Sequence, residues 1–100
     1  MNQDDPSAAA GSEAFLLPAS LDLTEAEALC HALRDRLQAG TLLLDAHAVE
    51  RISTPCLQLL AAAAAGAAQR GVAFRLRRAS GAFSAAVVDL GLTAAIPIED

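Results

Sequence analysis

Ser53, Thr54, Pro55 and Cys56 gather two hydroxyls, a proline and a thiol at one point of a 100-residue chain. Ser and Thr side chains accept from the free backbone N–H groups of a helix start, and proline suits the first helical position because no donor is needed there. Together with the preceding Leu42-Leu43-Leu44-Asp45 and the following Leu57-Gln58-Leu59-Leu60, these residues read as strand, polar loop and helix. A hydroxyl therefore stands at an exposed helix N-terminus. The helix dipole and unpaired N–H groups favour an anion there, which gives a phosphorylatable or partner-reading residue a physical rationale. Plain N-capping is the simpler use of the same atoms.

Other residues offer weaker chemistry. A thiol near a helix start gains nucleophilic character, but it needs a base, and for Cys56 only His47 could approach across the loop; buried packing is the alternative. Cys30 and Cys56 are far apart with no second cysteine at redox or metal spacing, and His31 and His47 lack a recurring ligand pattern. No metal or cofactor is expected. Asp45 and Glu50 flank the central loop and could act as paired carboxylates, although loop solvation explains them more simply. Arg75, Arg77 and Arg78 form the only basic cluster and could hold an anion or an acidic partner, or simply solvate a strand end. No glycine-rich phosphate cradle follows any strand.

The elements that must position these groups alternate. Ala14 to Pro18 reads as a first strand, and Thr24-Glu25-Ala26-Glu27 has capping-box spacing ahead of a helix with Ala26, Leu29, Cys30, Leu33 and Leu37 on one face. Gly40 stops it. Leu42 to Leu44 lacks alternation, as in a strand buried on both faces, and a helix runs from about Pro55 to Arg70 with Gly71 as its stop. Val72, Phe74 and Leu76 alternate with Ala73, Arg75 and Arg77, which predicts a strand near an edge with one accessible side. Ser80 caps a last helix carrying Phe83, Val87 and Leu90, Gly91 ends it, and Ala95 to Ile98 forms a final strand. The expected fold is α/β: one small domain over residues 14–100, with a four-stranded, mostly parallel sheet and three to four helices. Residues 1–13, small and acidic, are expected to be a disordered tail.

Composition narrows the function classes. The 54% hydrophobic content supports one compact core, and the uncharged run from Ile52 to Gln69 is too polar and too broken for a membrane span. A net charge of -5 argues against nucleic acid, and the absence of Trp and Tyr removes stacking platforms. The N-terminus lacks a basic start and an apolar segment, so the expected compartment is the cytoplasm. The alanine-rich helix can support homodimer contacts as well as core packing.

The chain resembles the STAS domain family over about Phe15 to Ile98. The resemblance rests on Leu42-Leu43-Leu44-Asp45 with Val49-Glu50-Arg51-Ile52, on Gly71-Val72-Ala73-Phe74-Arg75-Leu76, and on Ser80-Gly81-Ala82-Phe83 with Leu90-Gly91-Leu92. In the family's anti-sigma factor antagonists a switch loop of Asp, Ser, Ser or Thr, and Gly is phosphorylated by a kinase of the histidine-kinase-like ATP-binding fold. Here Ser53-Thr54-Pro55-Cys56 stands in that place, with Thr54 at the acceptor position and the other three positions changed. Cys56-Leu57-Gln58-Leu59-Leu60 is also similar to a subgroup found beside bacterial chemotaxis kinases. The resemblance implies a non-catalytic signalling module with Ser53 and Thr54 as switch and Asp45, Arg51, Pro55, Cys56 and Gln58 as partner contacts. Its partner would be an anti-sigma factor, a kinase or a chemotaxis kinase or receptor. Alternatively the chain is a constitutive STAS subunit of a lipid-transport ATPase; least favoured is a thiol enzyme using Cys56.

Overall fold

A computed structural model describes residues 14–99; the expected N-terminal tail lies outside them. Strand β1 (Phe15–Leu16) is followed by β2 (Ser20–Leu21), a 3-10 turn (Leu23–Glu25) and helix α1 (Ala26–Ala39). Then come β3 (Leu42–Asp45), β4 (Arg51–Ile52), α2 (Thr54–Gln69), β5 (Phe74–Arg77), α3 (Gly81–Asp89) and β6 (Ile98–Glu99). The main sheet has four parallel strands in the order β1-β3-β5-β6. This is the α/β arrangement expected of the sequence, with three α-helices among the described residues.

The main sheet is built with one dry face. Phe15, Leu44, Leu76 and Ile98 stand in register across the four strands, and neighbours in register share a face. Leu44 and Leu76 are fully buried there, with Leu29 and Leu33 of α1, Leu57 and Leu60 of α2, and Phe83 and Val87 of α3. The next row, Leu16, Asp45, Arg77 and Glu99, points the other way. Leu16 is exposed and Leu43 only half-buried, so β3 is not buried on both faces as its apolar run suggests. One open face also explains the alternation in β5. The strand is interior, between β3 and the edge strand β6, so it lies next to an edge with one more accessible side, as its alternation predicts.

Helix ends follow local chemistry with one exception. Gly40, at φ 89°, closes α1 in the left-handed conformation, letting the Thr41 N–H reach the Arg36 carbonyl at 3.2 Å. Ser80 caps α3 as expected, accepting from the Phe83 N–H at 3.0 Å and donating its hydroxyl to the Val49 carbonyl at 2.6 Å. At the start of α1, however, Thr24 does not cap. The Asp22 carboxylate accepts from the Thr24 N–H at 3.0 Å and from the Thr24 hydroxyl, which spends that hydroxyl as a donor and starts a 3-10 turn; α1 begins at Ala26. The final strand is also displaced, to Ile98–Glu99, while Ile96 is buried in the turn before it.

Candidate interaction site at the start of the second helix

A second, two-stranded sheet sets the entry to α2. β2 and β4 pair in parallel with Ser20 opposite Arg51 and Leu21 opposite Ile52, and the ladder continues into the Ser53 N–H, which donates to the Leu21 carbonyl at 2.8 Å. Ser53 is extended, at φ -80° and ψ 158°, and its hydroxyl accepts from the Cys56 N–H over a long 3.4 Å. Its carbonyl takes the first helical bond, from the Leu57 N–H at 3.1 Å. Of the donors a helix start leaves free, the Ser53 and Cys56 N–H groups are therefore bonded and Pro55 has none. Thr54 alone still offers one.

The side chains then divide by exposure. Thr54, Pro55 and Gln58 are exposed, while Cys56 and Leu57 are buried. The 3-10 turn lies against this end of α2 and brings Leu23, 68% exposed, to the same region. Asp22 is held by the turn: the Thr24 hydroxyl is the main reason its carboxyl stays below the ordinary range, and Arg51 adds a favourable charge. Leu23, Arg51, Thr54, Pro55 and Gln58 are all exposed on the turn, strand and helix start that meet here, and this mix of apolar and polar side chains has the composition of a protein contact.

Two expected contact residues belong to the interior instead. Cys56 is fully buried, and its thiol donates to the Asp22 carbonyl at 3.4 Å, so it fastens the 3-10 turn to α2 and offers no surface. His47 Nδ1 is bonded to Asp45, and no hydrogen bond joins the ring to the Cys56 thiol among the described residues. Asp45 is only 4% exposed. It accepts from the His47 N–H at 2.9 Å, lies 2.6 Å from His47 Nδ1, and faces Arg78 Nε at 3.4 Å. Burial pushes its carboxyl up, but the His47 donors and the Arg78 charge outweigh burial and hold it below the usual range. Glu50 stays exposed and does not pair with it; its backbone N–H donates to the Ala19 carbonyl at 2.7 Å.

The sequence reading missed Asp22, Leu23 and the joining of Asp45, His47 and Arg78. Asp22 could have been found as an Asn/Asp/Ser/Thr-type cap just ahead of a charged first turn. Arg75 pairs with Glu99 through Nε and a terminal nitrogen, each at 2.7 Å. His31 lies 3.9 Å from Glu27 on the exposed side of α1. Among the described residues no three metal-ligating side chains gather, and no helix is long and apolar enough to cross a membrane.

A family model described as "Mlab, STAS domain" matches residues 12–98. The chain belongs to the STAS domain family. The family match covers every element described above, from β1 to the start of β6. Comparisons with curated proteins and with solved structures each returned no match. In this STAS domain Ser53 caps the start of α2 and Thr54 presents an exposed hydroxyl next to it.

Proposed function

We propose that this STAS domain is a non-catalytic docking module that holds a partner protein on the exposed start of α2, through Thr54, Pro55 and Gln58 with Leu23 beside them. The contact reads shape and does not depend on a phosphoryl group. What carries this reading is the state of the backbone donors: a phosphoryl group on Thr54 would find the Ser53 and Cys56 N–H groups already bonded and none on Pro55. A single remaining donor gives little to order around it.

Of the partners implied by the family resemblance, a constitutive contact fits a lipid-transport ATPase better than a kinase or anti-sigma factor governed by phosphorylation. The test is capture of tagged full chain from its native host, followed by mass spectrometry of both bait and partners. A transport ATPase bound to bait that is unmodified at Thr54 is the expected result. A chemotaxis partner on unmodified bait would keep the shape-reading contact and overturn the transport assignment; a kinase or anti-sigma partner with phosphate on Thr54 would overturn both. Thr54→Arg, which adds bulk and charge at the centre of the surface, is expected to reduce capture about tenfold or more with an unchanged circular dichroism spectrum.

A further inference from the structure

The chain has seven cationic residues against twelve acidic ones, and Arg75, Arg77 and Arg78 sit together at the carboxyl end of β5. Register places Arg77 between Asp45 of β3 and Glu99 of β6, on the open face of the sheet. Both carboxylates are engaged elsewhere: Glu99 by Arg75, Asp45 by His47 and Arg78. Arg77 forms no ion pair among the described residues, and its Nε is buried without a hydrogen-bond partner. A charged donor left in that state is costly and calls for an occupant.

Two neighbours complete the arrangement. Arg78 adopts φ 58°, a left-handed conformation uncommon outside glycine, and strain of this kind concentrates at binding sites. It keeps Nε toward Asp45 while its side chain remains 60% exposed. His47 commits Nδ1 to Asp45 and is 45% exposed, which leaves Nε2, the acceptor of the neutral ring, to take the O–H of a hydrogen phosphate. The buried Asp45 carboxylate offsets one of the two charges of Arg77 and Arg78, and Arg75 and Glu99 cancel, so one net positive charge remains in the cluster. All three groups lie at the carboxyl ends of parallel strands, where open α/β sheets bind ligands.

We propose that Arg77, Arg78 and His47 form a binding site for a phosphate-type oxyanion, separate from the contact at the start of α2. The guanidinium groups offer paired N–H donors that match phosphate oxygens, and a turn of the Arg77 side chain gives its buried Nε a partner. The chemistry is that of a phosphate ester, whether soluble or carried on a lipid headgroup.

The experiment is an amide NMR titration of the full chain with inorganic phosphate, with ionic strength held constant by chloride. Saturable shifts in residues 46–50 and 77–82 are expected, and Arg77→Gln and Arg78→Gln each weaken the apparent affinity about tenfold. Arg34→Gln, on exposed α1, leaves it unchanged. Non-saturating shifts, or a phosphate response in Arg77→Gln and Arg78→Gln equal to that of the parent, would overturn the site. Sedimentation with phosphatidic acid vesicles but not phosphatidylcholine vesicles, lost in Arg78→Gln, identifies a lipid headgroup as the source. Saturable phosphate binding with no sedimentation identifies a soluble ester. Thr54→Arg keeps the phosphate response, so failure of the partner contact and failure of this site are separable.

Discussion

Asp45 ties two loops together with one carboxylate. Its donors come from His47, on the loop leading toward α2, and from Arg78, on the loop leading to α3. Because its carboxyl is held below the ordinary value of 3.8, the charged form is favoured by folding. The contribution is present above the unfolded carboxyl's range and is lost as pH falls through the lower folded value. Urea unfolding followed from neutral to strongly acidic pH should therefore show a loss of stability on the acid side that is reduced in Asp45→Asn. Ser53→Ala removes a cap whose bond to the Cys56 N–H is long, at 3.4 Å, and is expected to cost about 0.5–1 kcal/mol in urea unfolding. The cap was legible from residue type alone. The Asp45 cluster was not, because Arg78 is separated from Asp45 and His47 by β4, α2 and β5, and nothing in local spacing announces the meeting.

At the scale of elements, the helices were readable because three-to-four-residue spacing and glycine stops act locally. Gly40→Ala tests the stop: at φ 89° an added Cβ meets open space, so the penalty is conformational and of about 1 kcal/mol. Phe83→Ala empties a position with no exposed surface and is expected to cost about 3–5 kcal/mol, measured the same way. The pairing of β2 with β4 was hidden, since two-residue strands carry no period from which a strand can be read. That small sheet nevertheless sets the path of the chain into Ser53 and so positions the candidate contact. Thr24 shows the opposite error: its spacing to Glu27 was correct for a cap, but a carboxylate two residues earlier took its hydroxyl and delayed the helix.

For the molecule as a whole, the division between a dry face and an open face decides which leucines matter. Leu44→Ala, at 0% exposure, is expected to lose about 2–5 kcal/mol, whereas Leu16→Ser, at 57% exposure, should stay within about 0.5–1 kcal/mol of the parent in urea unfolding. The apolar run at Leu42 to Leu44 suggested burial on both sides because composition cannot say how many layers cover a sheet. The outer strands, β1 and β6, contain two residues each, with Pro18 just beyond one and Pro97 just before the other. A foreign strand approaching either side meets very few unsatisfied amides and a proline that donates none. Among the described residues either edge therefore offers a second copy little template for adding a strand.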